Sequence, residues 1–270
     1  MYFIISLAVV LLLFFLYWNR KPRKLTVQIS PEITRDILLS KVTYFQTLDV
    51  EQQDRFVREA LQFLQQVRVT GVKTEVTAED SILVAASAII PIFAFPGWQY
   101  QNLHEVLLYP DTFNEQFDFS KENPERQVLG MVGSGAMNHV MILSKPSLQE
   151  GFENKTDKNN TAIHEFIHLI DKTDGKMDGA PEILLDKTYV KPWLQLIHKN
   201  ITSIINDESD INPYAATNEA EFFAVAAEYF FERPLLLEEK HPKLYALLET
   251  IFRQDPKTDS VKQKTKAPIV

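Results

Sequence analysis

Two histidines four residues apart in an apolar stretch constrain this chain more than any other feature. The stretch is TAIHEFIHLIDKTDG, residues 161–175. On a helix, residues four apart lie one above the other, so His164 and His168 point the same way and their imidazoles can hold one ion. Glu165 sits beside the first of them, placed to reach a water activated by that ion. Asn160 or Thr161 can cap such a helix and Gly175 can end it. Ile163, Phe166, Ile167 and Ile170 give it an apolar face. The alternative reading is a surface helix with two solvated histidines. The 270 residues include no cysteine, which excludes disulfides, a thiol nucleophile and thiolate metal sites. Any metal is therefore held by His, Asp or Glu, and zinc suits two nitrogens and a carboxylate with one position left for water.

A catalytic site of this kind needs a third protein ligand. The segment YAATNEAEFFAV, residues 214–225, predicts the start of a second helix carrying Glu219, Glu221 and Glu228. Glu221 and Glu228 are seven apart and share a face, while Glu219 points elsewhere. Glu221 also suits a capping box with Asn218 as N-cap, and Glu228 suits a buried partner of a ligand. Spacing does not choose between them. Asp171 either orients a ligand imidazole or is an ordinary carboxylate near a helix end. His104, His139, His198 and His241 have no paired spacing and read as structural or exposed.

The rest of the chain sets the frame. It is long enough for one sizeable domain, and its 45% hydrophobic and 24% charged residues are ordinary for a globular protein. A net charge of -8 argues against nucleic acid as the main partner, because phosphate binding needs clustered cations. Residues 1–18 carry no charged side chain. As a helix rising ~1.5 Å per residue they reach about 27 Å, just enough to cross a bilayer core. Tyr2, Tyr17 and Trp18 lie at the ends of the run, and Arg20, Lys21, Arg23 and Lys24 follow it. Cations after the run, with no small-residue cleavage site, favour a retained anchor over a cleaved signal peptide and hold the rest of the chain in the cytoplasm.

Residues 19–30 read as a basic linker, and residues 31–67 as helical with a break near Asp49. ILVAASAIIPIFAF, residues 82–95, is too short for a span and predicts a buried helix ending near Pro91. VLLY (106–109) and VMIL (140–143) predict short strands, the latter able to align an extended peptide by edge pairing. Gly130, Gly133 and Gly135 read as a turn and not as a nucleotide loop. Residues 255–270 read as a frayed tail.

Taken together, HEFIHLID, the Asp178-Gly179 and Pro181 that follow, YAATNEAEFFAV and EYFF resemble the Mlc titration factor A family of zinc metallopeptidases. AASAIIPIFAF and HEVLLYPDTF upstream and FRQDP at the end extend the resemblance from about Phe45 to Phe252. It implies an α+β, mainly helical, zincin-like metallopeptidase domain with a small sheet, like the catalytic domain of anthrax lethal factor, here spanning residues 31–254 behind the N-terminal transmembrane helix. It implies His164, His168 and Glu221 as zinc ligands, choosing Glu221 as the glutamate of an A-E-x-F-A element. Glu165 becomes the general base, and Tyr214 stabilises the transition state. Peptides or proteins are the implied substrates, and a regulatory protein is an implied partner. This chain departs from the family in carrying Glu219 where proline is frequent, and in its N-terminal anchor. The competing expectation is a membrane-tethered binding protein that sequesters a regulator and holds zinc only for structure.

Overall fold

A computed structural model describes residues 29–112, 129–133, 138–154 and 157–257. The expected anchor over residues 1–18, most of the linker, Gly135 and all but the first three residues of the tail lie outside them. The chain divides after Ser30, and the described helices and strands all belong to the unit from Pro31 onward. Among the described residues no helix is long and apolar enough to cross a membrane.

The helices begin where local chemistry allows. α1 (Pro31–Lys41) opens on a proline, whose missing N–H is no loss in a first turn. α2 (Thr43–Thr47) is a short turn of helix. The break near Asp49 is a start signal: the Asp49 carboxylate accepts from the Gln52 N–H while Gln52 accepts from the Asp49 N–H. This capping box opens α3 (Val50–Gln66), which buries Phe56, Val57, Ala60 and Phe63 along one face. Thr77 and Asp80 form a second capping box at the head of α4 (Ala78–Ile92). Every residue of α4 from Ile82 to Ile92 is buried, so it is the central helix of the domain. It runs one residue past Pro91, close to the expected end.

Among the described residues the sheet has four strands: β1 (Arg68–Gly71), β2 (Glu105–Tyr109), β3 (Gly130–Val132) and β4 (Val140–Ser144). Their order is β1-β2-β4-β3. β1, β2 and β4 are parallel, and β3 returns antiparallel with Gly130 opposite Leu143. Two expectations change here. VMIL lies inside the sheet, paired on both sides, so its own N–H and C=O groups are already used and it has no edge to offer a peptide. Gly130 opens a strand, and Gly133 continues the ladder through its N–H to the Val140 carbonyl. The turn reading fails at Gly130 because a glycine signals either a tight turn or a close backbone approach, and at Gly130 the second applies, against Glu165.

β4 passes directly into α5 (Lys145–Glu153), capped by Ser144. α6 (Thr161–Asp171) is the helix of the two histidines, capped by Asn160 and closed by a 3-10 turn that ends at Gly175 with φ +94°. α7 (Lys187–Ile205) follows, then a 3-10 turn over Pro213–Ala216, α8 (Glu219–Glu232), α9 (Pro234–Lys240) and α10 (Pro242–Phe252). α6 packs against α8, α4, α5 and β3. Behind α8 lies an aromatic core in which Phe252 meets Phe223, Phe230 and Phe231 at centroid distances of 5.9, 5.7 and 5.0 Å. Truncating one such ring to alanine costs about 3–5 kcal/mol. The chain beyond α10 does not fray at once: Tyr245 donates to Asp255 at 2.7 Å, and Lys257 reaches Glu238 at 2.6 Å. The polar composition of residues 255–257 concealed these tertiary partners.

Candidate metal centre

α6 buries nearly everything it carries, including the polar His164, Glu165, His168 and Asp171. Four buried ionisable side chains on three turns are costly unless each has a partner. α8 supplies partners for the two histidines. Its Asn218 cap accepts the Glu221 N–H at 2.9 Å, which fixes the first turn and leaves the Glu221 carboxylate free to turn toward α6. Glu221 Oε2 lies 3.0 Å from His164 Nε2 and 3.4 Å from His168 Nε2, and the two Nε2 atoms are 3.0 Å apart. The reciprocal half of a capping box is not made, because the Glu221 side chain is engaged at the histidines.

Glu228, two turns along α8, takes the other side of the first imidazole. Its Oε1 lies 2.7 Å from His164 Nδ1, and its Oε2 accepts the Asn160 N–H at 2.6 Å. A carboxylate at Nδ1 draws the proton there and directs the Nε2 lone pair toward Glu221 and His168. One imidazole nitrogen from each histidine and one carboxylate oxygen therefore converge in a buried space, all within 4.8 Å of one another. Converging lone pairs repel unless a cation or proton lies among them, and the donor set of two nitrogens and an oxygen fits a metal ion with borderline ligand preference.

The electrostatics agree. Burial opposes the imidazolium of His164, but Glu228 and Glu221 outweigh it and hold this group up at about 10. Burial disfavours the Glu221 carboxylate, yet the bonds to His164 and His168 take it down to about 2. A metal competes with protons for these same lone pairs. Glu165 faces the opposite balance: burial comes first and pushes it up, with Glu221 and Glu228 adding to that, against His164 and His168. A raised carboxyl pKa is the property a proton acceptor and donor near neutral pH requires.

Three glycine and loop features hold this arrangement, and the sequence signals for them are weak. A Cβ at Gly130 would lie 2.7 Å from Glu165 Cγ and 2.8 Å from Glu165 Oε1, so β3 passes directly against the Glu165 side chain. Gly179, at φ +74°, has no room for a Cβ, which would meet the Glu219 carbonyl oxygen at 2.3 Å. Its N–H donates to Asp171 Oδ2 at 2.8 Å and its C=O accepts from Trp193 at 2.6 Å, tying the loop after α6 back to α6 and across to α7. Asp171 thus anchors backbone. Its Oδ1 and His168 Nδ1 are both buried and have no hydrogen-bond partner among the described residues. Burial raises the Asp171 carboxyl to about 6.

Tyr214 sits on the 3-10 turn before α8, its ring centroid 6.0 Å from that of His164, and 54% of it is exposed. Burial and then the nearby Glu221 and Glu165 carboxylates push its phenol up. Glu219 lies apart from the centre, pairing with the exposed His198 at 3.1 Å. It occupies the first helical position of α8, where proline is equally at home. His104 and His139 stack on each other with centroids 4.6 Å apart, and His241 bonds Asp210. Asn160 and Glu232 belong to the surroundings of the centre as well: the Asn160 amide donates to Glu232 at 2.9 Å and to the Gly151 carbonyl at 3.1 Å.

An H-E-x-x-H helix faced by a glutamate from a second helix is the arrangement of metallopeptidases with two histidines and one glutamate. The chain matches the family described as glucose-regulated metallo-peptidase M90 over residues 16–253, and it belongs to that family. It is 30% identical over 227 residues to Mlc titration factor A of Pectobacterium atrosepticum, covering 77% of this chain and 82% of that protein. The likeness to Mlc titration factor A of Yersinia enterocolitica is also 30%, over 230 residues, 77% of this chain and 81% of the relative. A Synechocystis protein, slr2042, is 28% identical over 229 residues, 82% and 83% of the two chains.

Proposed function

We propose that this protein is a zinc-dependent peptidase anchored to the cytoplasmic face of the inner membrane by residues 1–18. The observation that carries the peptidase reading is Glu165. It is buried beside the cluster of His164, His168 and Glu221, touches none of the three in a hydrogen bond among those described, and has its carboxyl pushed up. A metal held only for structure has no need of such a group.

His164, His168 and Glu221 would hold the ion. When bound, zinc acts as a Lewis acid toward water and the scissile carbonyl. Glu165 accepts the proton of the attacking water and passes it to the leaving amine. Glu228 keeps the His164 ring oriented with its proton on Nδ1. Tyr214 donates its phenolic hydrogen to the developing oxyanion from the open side of the site. β3 has β4 on one side and, among the described residues, no strand on the other. It lies against Glu165, so an extended peptide pairing there meets the catalytic carboxylate.

The name of the relatives, a titration factor, favours a second reading: a protein that binds a regulator, with the metal serving structure. Metal analysis of the purified protein with a peptide-library cleavage assay separates the two. The wild type is expected to hold about one zinc. Glu165→Gln and Tyr214→Phe are expected to keep it, the first losing nearly all cleavage and the second about 100-fold in turnover. Wild-type cleavage by Glu165→Gln would remove the proposed base, and no cleavage by the wild type would favour regulator binding. For the anchor, protease shaving of spheroplasts is expected to leave the domain intact. Digestion from outside, or a mature N-terminus near residue 20, would refute that topology.

A further inference from the structure

Four side chains among the described residues converge on Asp210, in the loop between α7 and the 3-10 turn that carries Tyr214. Lys158 donates to its carboxylate at 2.6 Å and to its backbone carbonyl at 2.5 Å. The Tyr229 hydroxyl donates at 2.9 Å, His241 Nε2 lies 2.7 Å away and Lys240 Nζ 3.1 Å. They come from the loop leading into α6, the second half of α8 and the end of α9. An isolated exposed ion pair adds little, but several partners on one partly buried carboxylate form a network that fixes its backbone.

Residues 206–208 are exposed, so the chain leaving α7 is caught at Asp210. Two residues on, Asn212 makes a second tie: its amide donates to the Asn159 side chain at 3.3 Å, and its side-chain oxygen accepts the Tyr214 N–H at 3.0 Å. The Ala215 N–H returns to the Asn212 carbonyl at 3.0 Å, and Ile211 and Ala215 are buried. The Tyr214 ring is more than half exposed, so its own packing does little to hold it 6.0 Å from the His164 ring. Its place depends on the backbone of the turn. Lys158 and Asn159 lead directly into Asn160, the cap of α6, so the loop that carries Tyr214 is tied to the loop that starts the histidine helix. We infer, on the peptidase reading, that Asp210 is a positioning residue: by binding Lys158 it holds the Tyr214 turn in register with α6 and keeps the phenol beside the metal centre. A cluster that served stability alone would act equally whether or not position 214 bears a hydroxyl.

The test is a double-mutant cycle on the full-length protein with Asp210→Asn, Tyr214→Phe and the two combined, using a peptide from the library. Asp210→Asn is expected to lower kcat about 10-fold with KM within about 2-fold and zinc content unchanged, as when a reacting group shifts by a fraction of an ångström. In the Tyr214→Phe background the same change should cost less than about 2-fold, because the hydroxyl it positions is gone. Hydrogen exchange supplies a readout without activity: the Tyr214 and Ala215 N–H groups should exchange about 10-fold faster in Asp210→Asn, and those of α6 at the wild-type rate. Lys158→Met leaves Tyr229, His241 and Lys240 on Asp210, so it serves if Asp210→Asn does not fold, and it should show the same non-additivity with Tyr214→Phe. Equal losses of kcat in both backgrounds, unchanged exchange at Tyr214, or wild-type turnover in Asp210→Asn beside a slowed Tyr214→Phe would overturn the positioning role and leave the peptidase reading standing. Wild-type turnover in Tyr214→Phe, or no cleavage by the wild type, would sink the positioning role together with the part of that reading it rests on.

Discussion

Adding one methyl group at Gly130 tests how β3 and Glu165 work together. The Cβ of Gly130→Ala would stand 2.7 Å from Glu165 Cγ, 2.8 Å from its Oε1 and 3.0 Å from Thr161 Cγ2. Ordinary carbon contact begins near 3.4 Å, so Glu165 or the strand must retreat by about 0.7 Å. Overpacking of this kind costs about 1–3 kcal/mol of stability. A displacement near 1 Å of a reacting group lowers turnover about 100-fold. The three atoms nearest this methyl belong to Glu165 and Thr161 and not to His164, His168 or Glu221, so metal content should stay at the wild-type level. The assay is turnover on a peptide identified from the library, with zinc measured on the same samples and the unfolding midpoint recorded. Wild-type turnover in a folded, metal-loaded Gly130→Ala protein would refute the claim that β3 fixes the position of the base. Loss of metal with loss of activity would refute the claim that the methyl leaves the metal ligands in place.

Two glutamates on one face of α8 should separate in their effects. Glu221→Ala is expected to abolish tight zinc binding. Glu228→Ala, which leaves His164 Nδ1 and the Asn160 N–H without their acceptor, should weaken it about 10- to 100-fold and cost roughly 2–5 kcal/mol of stability; competition with a chelating dye reads the first and denaturant unfolding the second. Release of zinc only by the Glu228 change would overturn the assignment of Glu221. Asp210 supplies a test by pH. Burial opposes its charge, but Lys158, His241, Tyr229 and Lys240 outweigh burial and hold it well below the usual carboxylate range. A depressed folded-state pKa contributes stability that is fully present above the unfolded value near ~4 and is lost as pH falls toward the folded value. Asp210→Asn should therefore be less stable at pH 7 by roughly 1–3 kcal/mol, with a shallower fall in stability between pH 4 and 2; an unchanged slope would show that the cluster does not act through this charge.

The sequence by itself determined whatever depends on neighbours along the chain. The spacing of His164 and His168 and the position of Glu165 follow from one helical turn. The helix starts at Asp49, Asn160 and Asn218 follow from a side chain reaching a backbone N–H three residues on. Apolar runs marked α4, β2 and β4 because burial selects composition regardless of partner. Only the tertiary structure decided what depends on elements meeting. Glu221 and Glu228 share a face seven residues apart, and no rule of spacing says which reaches Nε2 of the histidines and which takes Nδ1 of His164; the packing of α8 on α6 says so. The order of the sheet placed VMIL inside it and, among the described residues, β3 at its edge, since pairing of strands distant in sequence leaves no periodic trace. Gly130 read as a turn residue, and nothing local marked the need for Gly179, because the reason for each glycine, Glu165 in one case and the Glu219 carbonyl in the other, lies 35 to 40 residues away along the chain and in contact in space.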